Sequence, residues 1–216
     1  MIVNLGEHNS LISEYMRQLR DNEIQKNREL FRDRVFKIGN IIAYEISKKL
    51  KYEPITVNTP LGQSQCHTLA EQPVVGVILR AGIPLFEGLI SFFPNADACF
   101  VSAYRKHNPD GSFDIALGYR SHPALSGRVL IMCDPMLATG RSFVDVLNLV
   151  ARDEEPHSIH IVSVIASKAG LEHVSKHFPE ACIWTCAVDP ELDAKDYIVP
   201  GLGDAGDLSY GMKLQS

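Results

Sequence analysis

Long hydrophobic runs are what this 216-residue chain most plainly lacks. Its most apolar stretch, Val74 to Ile90, is interrupted by Arg80 and Glu87 and contains Gly and Pro, so no helix that spans a membrane is expected. Excess positive charge is missing as well. Lys and Arg number 21 against 26 Asp and Glu, a formal charge of −5 that gives no field for gripping a polyanionic nucleic acid, although a small anion can still bind locally. There is no Cys-x-x-Cys pair, and Cys66, Cys99, Cys133, Cys182 and Cys186 form an odd set for which buried thiols are the expectation. A zinc site from Cys182 and Cys186 would need further ligands at suitable spacing. The first residues, Met-Ile-Val-Asn-Leu-Gly-Glu-His, carry no basic region followed by an apolar one, so a cytoplasmic protein is expected. With 45% hydrophobic and 22% charged residues, the chain is neither disordered, collagen-like nor coiled coil.

What is present reads as one α/β domain over 1–216. Phe31, Val35, Ile38, Ile42, Ile46 and Leu50 recur every three or four positions and predict one long amphipathic helix from Asp21 to Leu50, within an N-terminal helical segment of about 8–52. Pro54 ends it, and a polar stretch follows from Thr59 to Glu71. Apolar runs then alternate with helical patterns. The runs are Val74–Leu79, Cys99–Val101, Val129–Cys133, Ile159–Ala166 and Ala181–Val188; helices are expected over Pro84–Phe93, around Val144–Val150 and over Leu171–Phe178. That alternation predicts a mainly parallel central sheet flanked by helices. A polar insertion, about 106–127, holds Asn-Pro-Asp-Gly and a short β-like piece from Ile115 to Tyr119, and reads as a flap or hairpin.

Ligands of open parallel sheets gather at the carboxyl ends of the strands, which directs attention to the loops beginning at Arg80, Tyr104, Asp134 and Asp189. Asp134-Pro-Met-Leu-Ala-Thr-Gly-Arg-Ser142 joins an apolar strand to a helix, with hydroxyls and a glycine where the helix begins. Unpaired amides there can hold a phosphate; equally, Thr139 or Ser142 can simply cap the helix. The Walker spacing is absent. Gly201-Leu-Gly-Asp-Ala-Gly206 satisfies a dinucleotide pattern formally, but only ten residues follow it, so a backbone-exposing loop is the better reading. His173 and His177 stand one helical turn apart without a third ligand spaced to join them, and Asp145 reads as solvent-facing or capping.

Three segments in order, Ile78-Leu-Arg-Ala-Gly82, Val129 to Ser142, and Tyr197-Ile-Val-Pro-Gly-Leu-Gly-Asp-Ala-Gly-Asp207, resemble the type I phosphoribosyltransferases, in the form that marks the uracil phosphoribosyltransferase family. The resemblance implies uracil and phosphoribosyl diphosphate (PRPP) as substrates, UMP and diphosphate as products, and Mg²⁺ carried in as Mg-PRPP with no metal site of the protein's own. By the same likeness Arg80, Asp134 and Asp204 are the catalytic residues. Asp134 takes the ribose hydroxyls, with Pro135, Met136 and Leu137 beside it, and Ala138, Thr139, Gly140, Arg141 and Ser142 hold the 5′-phosphate. Arg80 faces the pyrophosphate, Arg105 adds a phosphate contact, and Ile198, Gly203 and Ala205 read uracil through their backbone, with Asp204 turned toward PRPP. The base-binding loop spans about 195–211. A homo-oligomer, a GTP effector, and no nucleic-acid or membrane partner complete the implied picture. Two departures stand out: Arg141 replaces the usual glycine, and Ala138 leaves no carboxylate in the loop to act as a base, which favours a dissociative reaction. A phosphoribosyltransferase for another nucleobase, or a sensor of PRPP or UMP with little activity, are the alternatives.

Overall fold

Val74–Leu79 is six residues without a polar one, and its neighbours Val129–Cys133 repeat the pattern, because strands covered by helices on both faces have no wet side to mark. The computed structural model describes residues 1–107, 113–151 and 154–212, and side chains outside 103–117. In chain order the first half runs β1 (Ile2–Asn4), α1 (Leu11–Arg20), α2 (Arg28–Ser47), β2 (Tyr52–Thr59), β3 (Gly62–Leu69), β4 (Val74–Leu79), α3 (Ile83–Phe92), β5 (Asp97–His107) and β6 (Phe113–Ser121). It continues with β7 (Val129–Cys133), β8 (Met136–Leu137), α4 (Arg141–Val150), β9 (Ser158–Val162), β10 (Ile165–Ser167) and α5 (Lys168–His177). The last elements are β11 (Cys182–Thr185), β12 (Val188–Asp189), β13 (Glu191–Leu192), β14 (Ile198–Val199) and α6 (Ala205–Tyr210).

The main sheet has the order β1-β11-β9-β7-β4-β5-β6, parallel throughout except for the β5–β6 hairpin at one edge. Alternate residues feed two cores. Val75, Val77, Ile131 and Cys133 pack with Phe31, Ile38, Ile42 and Leu85 from α2 and α3, while Leu130 and Met132 pack on the opposite face with Phe143, Leu147 and Val174 from α4 and α5. The fold class expected from the alternation is therefore the one observed.

Four local expectations change. The single helix from Asp21 to Leu50 is two. Asp21 closes α1 and its carboxylate accepts the Glu23 and Ile24 N–H groups, while Asn27 accepts from Leu30 to start α2. Short polar side chains at those positions compete with the helix for backbone donors, and periodicity alone does not register that. The polar stretch after Pro54 is an exposed antiparallel hairpin, β2–β3, paired from Tyr52↔Leu69 to Thr59↔Gly62. Pro54 is tolerated there because each strand has a free edge. The runs Ile159–Ala166 and Ala181–Val188 each break in two: β9 and β11 stay in the main sheet, whereas β10 and β12 leave it to form a small parallel sheet with β8. Four cysteines are buried, Cys66 is half-buried on the hairpin, and all five are free thiols. The tip of the insertion, 108–112, and the Arg105 side chain lie outside the described residues. The end of the insertion is anchored, with Leu125 buried and the Leu125 and Ser126 amides donating to the Glu154 carboxylate at 2.6 and 2.7 Å.

Between β9 and β11 the core buries an imidazole against an indole. The Trp184 indole N–H donates to Nδ1 of His160 at 3.0 Å, which fixes the imidazole in its neutral, accepting form, and burial pushes its pKa down to about 4. An unfolded chain takes up that proton below the ordinary value near 6.5, so stability is intact above it and drains away as pH falls toward about 4. The total is about 3 kcal/mol at roughly 1.4 kcal/mol per pH unit. Urea midpoints of the native protein are expected to fall more steeply between pH 7 and 5 than those of His160→Gln, which keeps an acceptor for the indole but does not titrate; equal slopes would refute this.

Candidate active site

The small sheet β12-β10-β8 lies beyond the carboxyl ends of the main strands and fastens the segment after Asp134 from behind. Met136 and Leu137 pair with Ile165 and Ala166, the Pro135 carbonyl accepts from the Val164 and Ile165 N–H groups, and the Ser167 hydroxyl donates to the Ala138 carbonyl at 2.6 Å. Ser167 in turn accepts the Gly170 N–H at the start of α5. The Pro135 and Ala138 carbonyls are thus committed to protein partners. Gly140 caps α4 with φ +76 and no side-chain hydrogen bond; a Cβ there would lie 2.9 Å from the Gly170 carbonyl oxygen, so only glycine fits. The alternative in which Thr139 or Ser142 caps the helix is not realised: the Thr139 hydroxyl accepts only a long 3.4 Å contact from the Arg141 N–H. With glycine at its N-cap position, the ten-residue α4 brings the partial positive charge of its first turn to the end of the loop. Ser142 is half-buried beside them and Arg141 is exposed.

Asp134 follows β7 and is half-buried, accepting the Met136 N–H at 3.1 Å. Burial, reinforced by the negative charge of Asp204, pushes its carboxyl pKa up to about 7 against the pull of that N–H. Arg80, in the turn after β4, is the neighbour of this loop because β4 pairs with β7. Its Nη2 donates to Asp207 Oδ1 and to the Gly211 carbonyl, both at 2.9 Å. Asp204 caps the short helix α6 by accepting the Asp207 N–H at 3.0 Å. Arg80, Asp134 and Asp204, expected to act together, are therefore gathered at one end of the sheet, with α6 closing against Arg80. Ile198 is buried in β14, Ala205 is buried as the first residue of α6, and Gly203 lies between them.

The glycine-rich dinucleotide pattern does open a helix, but one of six residues near the end of the chain. His177 Nδ1 contacts the His173 carbonyl at 2.8 Å, and among the described residues no group of three or more His, Cys, Asp or Glu side chains is placed to hold a metal ion. Asp145 is exposed on α4.

A family model for uracil phosphoribosyltransferase matches residues 7–212. The chain belongs to the uracil phosphoribosyltransferase family. A uracil phosphoribosyltransferase of Porphyromonas gingivalis is 42% identical over 214 residues, covering 99% of each chain, and one of Thermococcus gammatolerans is 38% identical over 213 residues, covering 97% of this chain and 93% of the other. The AQ2163 protein of Aquifex aeolicus superposes with a TM-score of 0.85 at 32% identity over the whole of both chains. In this uracil phosphoribosyltransferase family member, three residues near the site escape sequence reasoning. Asp207 holds Arg80, Ser167 holds the 134–142 loop, and Arg20, on a helix far away in sequence, reaches Asp189. Asp207 stands inside the C-terminal resemblance, and Asp189 is legible only as the start of a loop; nothing in the sequence announces Ser167 or Arg20.

Proposed function

We propose that the protein transfers the 5-phosphoribosyl group of PRPP to N1 of uracil, giving UMP and diphosphate in pyrimidine salvage. The observation that carries this reading is the start of α4, whose N-cap glycine offers no side chain to its amides, behind a loop held through the Pro135 and Ala138 carbonyls and set beside Asp134, Arg80 and the 198–205 loop. The α4 amides and the Thr139 and Ser142 hydroxyls suit the 5′-phosphate, and Asp134, once ionised, suits two ribose hydroxyls. Arg80 and the Mg²⁺ that enters with PRPP would stabilise the departing diphosphate as positive charge develops on the sugar. The C1′–O bond to diphosphate breaks, the C1′–N1 bond forms, and the uracil N1 proton passes to the departing diphosphate, whose terminal oxygens are the bases at hand. Arg105 is proposed as a further phosphate contact on the family likeness. The backbone of Ile198, Gly203 and Ala205 is proposed to read the base edge.

No described helix is long and apolar enough to cross a membrane, which accords with a cytoplasmic enzyme. A homo-oligomer is proposed on the exposed β2–β3 hairpin, an isolated two-stranded ribbon that displays Tyr52, Ile55 and Leu61. A GTP effector is proposed on the family likeness alone. The deciding experiment measures diphosphate release with uracil, hypoxanthine, guanine and orotate in parallel, in the presence of Mg²⁺ and PRPP. Uracil is expected to exceed each of the others by roughly a hundredfold or more, since a site built to hydrogen-bond one base edge leaves buried groups unpaired against the wrong one. Comparable release with a purine or orotate would overturn the assignment.

A further inference from the structure

Asp189 ends β12 at the edge of the site, yet its carboxylate is used up inside the protein. Oδ1 and Oδ2 accept from the two terminal nitrogens of Arg20 at 2.7 and 2.8 Å, and Oδ2 also accepts the Gly201 N–H at 2.8 Å. The Arg20 nitrogen that reaches Oδ2 donates a second time, to the Gly201 carbonyl at 2.9 Å. One ion pair therefore grips both peptide groups of a single residue. Only glycine fits there: Gly201 has φ +63, and a Cβ on it would lie 2.0 Å from the Ile198 carbonyl oxygen. Burial raises the Asp189 pKa, but the Arg20 guanidinium and the Gly201 N–H outweigh it and hold the carboxyl below the usual range, so the grip persists at neutral pH.

Gly201 stands midway between Ile198 and the pair Gly203 and Ala205. We infer that Arg20 and Asp189 are positioning residues for base recognition, their ion pair fixing Gly201 so that the backbone groups on either side of it meet a pyrimidine in one register. The inference rests on the proposed reading of the 198–205 loop as the uracil-reading segment. A bidentate guanidinium–carboxylate pair sets angle as well as distance. A backbone edge that reads a planar base needs both, since displacement on the order of 1 Å costs about a hundredfold in well-oriented reactions. Neither side chain is assigned a contact with substrate.

Asp189→Asn keeps the shape but turns an amide NH₂ toward the guanidinium, donor against donor; Arg20→Gln removes the charge and the fork, and Arg20→Lys keeps the charge alone. Asp189→Asn and Arg20→Gln are each expected to raise the uracil KM about tenfold, leaving the PRPP KM within about twofold, with Arg20→Lys in between. A purely structural role would instead lower the melting temperature and kcat while leaving the ratio of the two KM values unchanged, and that result overturns the inference. Should Asp189→Asn fail to fold, the Arg20 variants decide alone, their side chain being 28% exposed. Titrating the ¹⁵N-labelled wild-type protein with UMP separates the two levels. If the Gly203 and Ala205 amides do not shift, the loop reading fails and takes this inference with it. If they shift while the uracil KM of the Arg20 and Asp189 variants stays at the wild-type value, the inference alone fails.

Discussion

Asp134→Asn is expected to make the protein more stable and nearly inactive. At pH 8 the ionised carboxylate sits beside Asp204 in a half-buried position that would hold it neutral up to about pH 7, with burial the main cause. Because the folded-state pKa is raised above the unfolded one, folding is most favourable at low pH and loses free energy as the solution passes from about 4 to about 7. A carboxyl raised that far sets a ceiling of about 4 kcal/mol; with solvent relaxing in an open cleft, a gain on the order of 2 kcal/mol is expected for the neutral, nearly isosteric amide. The Met136 N–H keeps its acceptor in the variant. Activity moves the other way. The two charge-assisted hydrogen bonds to ribose hydroxyls proposed for Asp134, at about 1.5–3 kcal/mol each, correspond to roughly 10²–10⁴-fold in kcat/KM for PRPP. The same pKa predicts that wild-type kcat/KM for PRPP rises through about pH 7 and that this inflection is missing in the variant. An Asn variant that melts earlier than wild type, or a wild-type profile flat from pH 6 to 8, would contradict this account.

What is legible in the sequence follows the range of the interaction rather than its importance to activity. Val74–Leu79 and Val129–Cys133 are legible because burial on both faces writes an uninterrupted apolar run, and the loops that follow them are legible because parallel strands deliver their ends to one side. Asp134, Gly140 and Arg80 stand in those loops, so motif and topology find them together. The helix break at Asp21–Asn27 is written in side-chain-to-backbone hydrogen bonds, which a hydrophobic period does not see. The departure of β10 from the main sheet at Ser163–Val164 is written in pairing with Met136 and Leu137, about thirty positions away. Arg20 and Asp189 are 169 positions apart, and only folding brings them together. Local chemistry is readable, whereas the long-range contacts that orient it are not.

Arg80→Ala is expected to spare the fold and cost kcat/KM for Mg-PRPP roughly 10²–10³-fold. The side chains of Arg80 and Asp207 are 37% and 31% exposed, so their ion pair is screened by water and its loss is expected to change stability by less than about 1 kcal/mol. Catalysis asks more of the same guanidinium. Its planar fork emerges directly after a buried strand, beside the loop expected to hold the sugar phosphate, and a diphosphate leaving group presents the paired oxygens that such a fork matches. The Asp207 and Gly211 contacts at 2.9 Å hold the arginine in place before substrate arrives, so little conformational freedom remains to be lost on binding. Arg80→Lys, with a point charge in place of the fork, is expected to recover only part of the loss. Because Arg80 is proposed to meet diphosphate rather than the base, the PRPP dependence should deteriorate far more than the uracil KM in both variants. If Arg80→Ala instead unfolded the protein, or weakened uracil binding alone, Arg80 would be a support for α6 and the leaving group would have to be held by other residues.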